Sequence, residues 1–560
     1  MNFPWLVLGV VGTAAIAGGI GRFTRQWELA AIGASAAILL LQHNYFHYTS
    51  DDAFISYRYA RNLSDGVGPV WNSGQHVEGY TNFLWVAILA GLHKLGADIV
   101  LSGRWLGYAL AVVSAAAAYF LTSQLIVGTP GRIAGFIAAI LLCSSGAWAM
   151  WATAGLEAPL FASLTLIAVM LHLRERPRRD RVGWPPASGI VWAFVGMARA
   201  DGALLAGVTG LFKLGDLVLQ VRAAPKGMRL RAFVFGGAHV VLWVGLFAAF
   251  YAPYFIWRYN YYDWFFPNTY YAKVGAGLDQ YDRGIKYVIA FLQETGGWLL
   301  LLLPLAIAEK AVRRGAALYV LVLAGVWLGY TAYVGGDSLL RYRFIAPVLP
   351  LYYGVLAVTA VSIATRLRTA MPRQRYVAEA IASVAVLASV SITLHPQAVD
   401  AWDIRGERRA VEQRAIIGLW MRDNLPVDTT VAAIPIGALG YESRLTIIDM
   451  LGITDEHIAH RKLKIGELAA GHEKYDSEYV LDLQPDIILL FDGLTAEPLG
   501  EASYARLSGV FIPAAIDMVG NERLFDEYEL RVVEVDGKWL NLLVRKDAGL
   551  LLLRTQPGPR

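Results

Sequence analysis

The sequence predicts a polytopic α-helical membrane protein that carries a soluble α/β domain at its C-terminal end. Three observations support this. Of 560 residues, 56% are hydrophobic and 17% charged, and the mean hydropathy is +0.44. Apolar stretches long enough to span a bilayer recur up to about residue 395. From about residue 396 the composition changes, and charged residues appear every few positions. The 17 Trp and 28 Tyr suit a chain with many helix ends to anchor at the interface. A formal net charge of +4 gives little reason to invoke nucleic acid, because the basic residues fall in short loops between apolar runs. The only cysteine, Cys143, lies in an apolar segment, which excludes an intrachain disulfide.

In chain order the apolar stretches lie at about residues 3–20, 29–43, 105–127, 131–149, 155–172, 188–220, 232–256, 297–308, 315–334, 344–364 and 377–394. With 188–220 divided in two they make about eleven or twelve crossings. The first lacks the basic start of a signal peptide and is followed by Arg22 and Arg25, so it reads as a retained helix. Arginine and lysine set the orientation, because short cytoplasmic loops carry their excess. The basic loops hold Arg22 and Arg25, Arg132, the cluster from Arg174 to Arg181, Arg222 to Arg231, Lys310 to Arg314, and Arg366 to Arg375. Placing these inside puts residues 44–104, 153–157, the break near Arg199, 257–296, 335–343 and everything after 395 outside. The run 83–95, about thirteen residues, is short for a span and reads as an interfacial or re-entrant helix. The break Met197-Ala-Arg199-Ala-Asp201-Gly202 fits two partial helices meeting in a polar cavity.

The region from 396 to 560 reads as an extracytoplasmic α/β domain, with strands near 431–434, 445–448, 487–491 and 540–544 and an amphipathic helix at 408–424. Its run Ile434-Pro-Ile-Gly-Ala-Leu-Gly440 lacks the spacing of a dinucleotide fingerprint.

The pair Asp51-Asp52 follows the second apolar stretch, where ionised groups beside lipid are costly unless solvated, paired or used. An active site outside the cytoplasm has no ready nucleotide sugar or ATP. A transferase there takes its activated group from lipid, and a polyprenyl phosphosugar is such a donor. Transfer needs a carboxylate to activate an acceptor hydroxyl or attack the anomeric carbon, with cations near the leaving phosphate. Asp51 and Asp52 are the carboxylate candidates, and Arg58, His76, Arg199, Lys273, Arg341 and Arg343 are the outward-facing cation candidates. Two adjacent carboxylates can contribute to a divalent-metal site, but two ligands alone specify no metal. The loop from Trp257 to Gly297 is rich in aromatic rings, from Trp257 to Tyr271 ahead of Lys273, equally natural as sugar platforms and as an interfacial belt. Asp337, after Gly335-Gly336 and ahead of Arg341 and Arg343, is hard to assign to anchoring alone.

Taken together, these motifs resemble the C-type (GT-C) membrane glycosyltransferases, and in particular the terminal β-(1→2) arabinofuranosyltransferase family. The resemblance rests on DDAFISYRYARNLSDGVGPVWNSGQHVEGYTN at 51–82, ATAGLE at 152–157, ARAD at 198–201, PNTYYAK at 267–273, GGDSLLRYRFIAP at 335–347, IDMLGITDEHIAHRKL at 448–463 and GHEK at 471–474. It implies a GT-C fold, a polyprenyl-phosphate-linked arabinofuranose as donor, and a cell-envelope glycan or glycoprotein as acceptor. It implies catalysis at the acidic pair. Arg58 and His76 are assigned to ordering the loop or binding donor phosphate, and Lys273 and Arg343 to phosphate neutralisation. Glu78, Tyr80, Asn82, Glu157, Asp201, Asp337 and His472 are assigned to positioning sugar or acceptor, with holding the cations as the other role open to Glu78, Glu157, Asp201 and Asp337. The outer domain is expected to help hold the acceptor, with a lid or a structural role as the alternatives. Ala200 and Asp201 stand where the family commonly has Pro and Glu, which leaves another donor sugar, such as mannose, open. A lipid-linked saccharide transporter and a non-catalytic assembly protein are the alternatives from other classes. The charges at outer helix ends and the absence of a two-fold repeat weigh against a transporter.

Overall fold

The computed structural model describes residues 3–46, 48–176, 185–275, 277–370, 401–491, 494–509, 512–549 and 556–557. The first apolar stretches form α1 (Phe3–Thr24) and α2 (Trp27–Phe46), packed against each other. The large first loop holds α3 (Asp51–Ser64) and α4 (Phe83–Lys94). There follow α5 (Ile99–Ser123), then α6 (Thr129–Ser144) and α7 (Gly146–Thr153), bent by 66° at Ser145. Next come α8 (Ala158–Glu175), α9 (Ser188–Ala198), α10 (Gly202–Ala223) and α11 (Arg229–Tyr262). The module closes with α12 (Asn268–Lys273), α13 (Leu278–Glu294), α14 (Leu303–Ile307), α15 (Arg314–Tyr333) and α16 (Leu349–Ala370).

Eight of these helices are long and apolar enough to cross a membrane, or ten when each of two bent pairs counts as one span. The difference from the expected eleven or twelve has two sources. The stretch 377–394 lies outside the described residues, and the break at Arg199 leaves α9 with only 11 residues. The run 83–95 forms the 12-residue α4, which packs on α3 and α5 instead of crossing. At 34 residues and 1.5 Å per residue, α11 is ~50 Å long, so its last turns rise past the hydrocarbon and carry Arg258 and Tyr262 to the loop around residues 69–78.

The loops segregate to two ends as the charge pattern requires. At one end Val127 N–H donates to Ala311 O (3.0 Å), Arg313 N–H to Leu125 O (2.8 Å), and Arg176 and Arg366 pair with Asp216 and Glu309. At the other end Ser50 N–H donates to Ala154 O (3.0 Å), Ala200 N–H to Thr81 O (3.3 Å), and Asn268 N–H to Glu78 O (3.0 Å). On that second side α13 lies across the end of α15 and the start of α16: Gln280 Nε2 donates to Tyr333 O (2.8 Å), and Thr295 Oγ1 shares a hydrogen bond with Tyr352 OH (3.0 Å). A bend of 85° then turns the chain toward the basic end.

The C-terminal domain, expected on the outer face, is described from Ala401, and its expected boundary near 396 lies outside the described residues. Strands β1 (Thr430–Ala433), β2 (Thr446–Asp449), β3 (Ile487–Leu489), β4 (Leu494–Thr495), β5 (Tyr528–Val535), β6 (Lys538–Arg545) and β7 (Gln556–Pro557) form one sheet. Its order is β2-β1-β3-β6-β5-β7, with β4 on β6; β2, β1 and β3 run parallel and the rest antiparallel. The hairpin β5–β6 turns at Asp536-Gly537, with φ of +51° and +72°, as a type I′ turn requires. Alternation along the strands serves two cores. Val431 and Ala433 join the main core with Ile417 and Met421 of the helix Ala401–Asn424, while Ala432, Ile488 and Leu543 pack with Tyr504 and Met518.

Candidate active site

Helix α3 places its two acids differently. Adjacent helical positions point about 100° apart, so they cannot share a face. Asp52, Ile55 and Ser56, at i, i+3 and i+4, line a cavity of about 470 Å³ between the helix ends. Asp51 turns away: its Oδ2 and Oδ1 accept from Gly437 N–H (3.1 Å) and Ala438 N–H (3.0 Å) of the outer domain, with Arg414 at 3.6 Å. The glycine turn after β1 is therefore a docking point for α3. Arg58 is buried on the docking side too. It donates to Trp71 O (2.9 Å), Gly440 O (2.6 Å), Leu445 O (2.7 Å) and Asn72 Oδ1 (3.1 Å), and lies over the Trp71 ring. The expected catalytic pair is thus one cavity acid, Asp52, and one docking acid, Asp51, and of the two roles open to Arg58, ordering the loop and binding phosphate, its contacts are those of the first, extended to the docked domain.

Other candidates also fall outside the cavity lining. His76 is exposed and stacks on Tyr261, 4.2 Å between centroids. Glu78 is buried in an ion pair with Arg258, which also donates to Trp264 O (3.2 Å) and Phe265 O (3.0 Å), so it holds the loop to α11. Arg341 is buried with φ of +59°, and its carbonyl accepts from Trp151 Nε1 (3.2 Å).

The cavity does bring together Asp52, Tyr80, Asn82, Glu157, Arg199, Asp201, Lys273, Asp337 and Arg343. Two arginine networks organise it. Arg343 forms a fork on Asp337 (2.7 and 2.9 Å) and pairs with Asp52 through its remaining nitrogen. The turn that presents Asp337 needs Gly335 and Gly336, at φ +88° and +72°. Arg199, at the break after α9, forms a fork on Asp201 (3.0 and 2.8 Å) and donates to Glu157 (2.8 Å). Glu157 in turn accepts from Asn82 (2.8 Å), which is bonded to Ser56.

The electrostatics separate the cavity residues further. Burial pushes the Asp52 carboxyl up, but Arg343 and then Lys273 outweigh it and hold the pKa at about 2, so Asp52 is ionised; its side chain is 29% exposed. Both arginines are engaged by carboxylates. The Lys273 ammonium has no hydrogen-bond or ion-pair partner among the described residues, and burial and Arg343 hold its pKa below the ordinary lysine value against the pull of Asp52 and Asp337. His472 sits beside Lys273 without lining the cavity; burial and Lys273 lower its pKa, and its Nδ1 lies 3.4 Å from Ala470 O. Among the described residues no three His, Cys, Asp or Glu converge, and Asp51 and Asp52 face different partners.

Sequence reasoning did not single out Ser56, Thr269, Tyr330 and Tyr333, which also line the cavity, whereas Phe266 and Tyr270 reach it from the aromatic loop. Thr269 and Tyr270 belong to the PNTYYAK run, and Tyr330 and Tyr333 lie one turn apart at the end of α15, the i, i+3 signal of a shared face.

Comparison with known proteins gives three findings. A family described as "Domain of unknown function (DUF8728)" matches residues 402–539. The terminal β-(1→2)-arabinofuranosyltransferase of Mycobacterium tuberculosis (strain ATCC 25618 / H37Rv) is 29% identical over 284 residues, 48% of this chain and 42% of that protein, so the match spans less than half of the relative. Among solved structures, ArnT from Cupriavidus metallidurans bound to undecaprenyl phosphate superposes with a TM-score of 0.55 at 13% identity, covering 95% of this chain and 99% of that one. The archaeal oligosaccharyltransferase AglB from Archaeoglobus fulgidus, in complex with an inhibitory peptide and a dolichol-phosphate, gives 0.51 at 13% identity, covering 96% and 76%. The fold is the GT-C type that the sequence resembles.

Proposed function

We propose that the protein is a membrane glycosyltransferase that moves a sugar, arabinofuranose in the first instance, from a polyprenyl-phosphate donor to a cell-envelope glycan or glycoprotein. The observation that carries the reading is the composition of the cavity: an ionised carboxylate, Asp52, shares it with one cation, Lys273, that makes no ion pair or hydrogen bond among the described residues. The two structural neighbours described with bound polyprenyl-type phosphates support the donor class, and the mycobacterial relative supports the sugar.

The chemistry follows from what leaves. As the bond from the anomeric carbon to the phosphate oxygen breaks, polyprenyl phosphate departs as a stable anion, whose second pKa is about 6, so it needs cations and no proton donor. Lys273 meets that charge. Arg343, clamped by Asp337, adds a fixed positive field and orients Asp52. Asp52 accepts the hydrogen bond of the acceptor hydroxyl and takes its proton as that oxygen bonds to the anomeric carbon. Asn82 and Glu157, held by Arg199 and Ser56, present polar atoms for the sugar hydroxyls. Tyr80 offers its ring, its hydroxyl being shared with Tyr262 (3.0 Å). The active site and outer domain face away from the cytoplasm in this reading, because the arginine-rich loops gather at the opposite end.

The test is incubation of purified protein in lipid with synthetic polyprenyl phosphosugars, arabinofuranose and mannose among them, followed by analysis of released polyprenyl phosphate and product linkage. Consumption of the arabinofuranose donor supports the full reading. Consumption of another donor alone corrects the sugar. Consumption of none by folded protein that binds polyprenyl phosphate overturns it.

A further inference from the structure

The outer domain reaches the cavity through one segment, residues 452–474, which lies within the match to a domain family of unknown function. Ile453 and Ala470 of this segment line the cavity directly. The rest of it grips α12, the short helix that ends in Lys273. Asn268, at the start of α12, donates its amide to Gly452 O (2.9 Å), Ile453 O (3.1 Å) and Asp455 O (3.1 Å). Lys474, buried, donates to Tyr271 O (2.9 Å) and to Ala459 O, which ties α12 to the segment a second time. Glu473, also buried, fixes the segment itself. Its Oε1 accepts from Gly466 N–H (2.6 Å) and Leu468 N–H (2.9 Å), and its Oε2 accepts from Arg283 (3.0 Å). Arg283 also donates to Gly335 O (2.9 Å), at the turn that presents Asp337.

Between these clamps the backbone of Gly471 lies against the Lys273 stem. A Cβ at Gly471 would stand 2.9 Å from Lys273 Cε, 3.2 Å from Cγ and 3.4 Å from Cδ, and its φ of +84° already favours glycine. Three residues of GHEK therefore act on one cation's surroundings: Gly471 supports the stem, Glu473 sets the segment and Lys474 holds the helix. His472 sits beside the ammonium.

We propose that the outer domain is a structural half of the donor-phosphate site, with Gly471 and Lys474 as positioning residues that set the reach of Lys273 into the cavity. The inference rests on the reading of Lys273 as the phosphate cation. It gives a matched domain of unknown function a role on the donor side, distinct from the holding of an acceptor.

The experiment measures binding of decaprenyl phosphate, with decaprenol and inorganic phosphate as separate probes, to the full chain in nanodiscs. Gly471→Ala and Lys474→Met each weaken decaprenyl phosphate binding about ten-fold, the scale of one lost charge-assisted contact, and leave decaprenol binding unchanged. A merely structural defect would weaken both lipids alike, and that result overturns the inference. Competition by inorganic phosphate, reduced in both variants, places the effect on the phosphate itself; competition as in wild type counts against the inference. Lys273→Met is the reference. If it binds decaprenyl phosphate as wild type does, the reading of Lys273 fails and takes this inference with it. If it weakens binding while both outer-domain variants bind normally, this inference alone is overturned. Should Gly471→Ala not fold, Lys474→Met decides, because it touches no part of the Lys273 side chain.

Discussion

Neutralising the two acids of α3 one at a time should give two different defects. Asp52→Asn keeps the volume and removes the charge. Arg343 retains its fork on Asp337, and the pKa of about 2 against an ordinary 3.8, discounted for the 29% exposure of the side chain, puts the loss to the fold on the order of 1–2 kcal/mol. Transfer loses the group that takes the acceptor proton, a loss of about 10²–10⁴-fold. Asp51→Asn touches no cavity atom. One amide oxygen replaces a carboxylate that serves Gly437 N–H and Ala438 N–H, and the amide nitrogen then meets a donor. This costs about 1.5–3 kcal/mol of domain docking and stability, with transfer reduced far less than in the Asp52 variant. The assay is single-turnover release of polyprenyl phosphate from a labelled donor, alongside thermal unfolding of each variant. The reasoning is refuted if Asp51→Asn slows transfer as much as Asp52→Asn without a change in unfolding, or if Asp52→Asn transfers within ten-fold of wild type.

Three further outcomes are expected. Because Lys273 titrates below the ordinary lysine value and phosphate prefers its charged form, polyprenyl phosphate affinity should fall as pH rises through that lowered pKa; in Lys273→Met the alkaline fall should vanish and affinity should be uniformly low, as read by binding isotherms across pH. Arg58→Met leaves the carbonyls of Gly440 and Leu445 without their side-chain donor in a buried interface and Trp71 O with Asn62 alone (3.2 Å), and should cost about 3 kcal/mol or more in thermal or denaturant unfolding; unchanged stability would remove Arg58 from its docking role. Burial pushes the Asp449 carboxyl up to about 6 against the N–H groups of Thr454 and Leu451, above its unfolded value of 3.8. The folded state therefore holds that proton more tightly, and the associated stability is present below about pH 4 and lost as pH rises to about 6. Asp449→Asn should flatten outer-domain stability across that window, and an unchanged slope would argue against the assignment.

The membrane module was legible because length and composition decide a span, and among the described residues the order of spans follows the sequence, the break at Arg199 included. Arg199 with Asp201 was legible as a pair because opposite charges two positions apart beside lipid lower each other's cost by pairing. That Arg343 and not Arg341 takes Asp337 was not legible, because the two arginines read alike as outward-facing cations. The partition of Asp51 from Asp52 was not legible. It depends on Gly437 and Ala438, some 386 and 387 positions downstream, and only the docked domain shows which acid they take. The choice between the roles open to Arg58 and to Glu78 was hidden for the same reason, since the carbonyls of Gly440 and Leu445 and the guanidinium of Arg258 are remote in sequence. Strand β5 is different, because its alternation and the Asp536-Gly537 turn carry a local hairpin signal that a reading confined to residues 540–544 passes over.

The most direct test of the central claim is an experimental structure of the full chain with a polyprenyl phosphate bound. The account predicts the phosphate in the 470 Å³ cavity within hydrogen-bond distance of Lys273 Nζ, with the Asp52 carboxylate facing the space where a sugar would sit. A phosphate bound elsewhere, or one in the cavity that leaves Lys273 without contact and Asp52 turned from the open space, would contradict it.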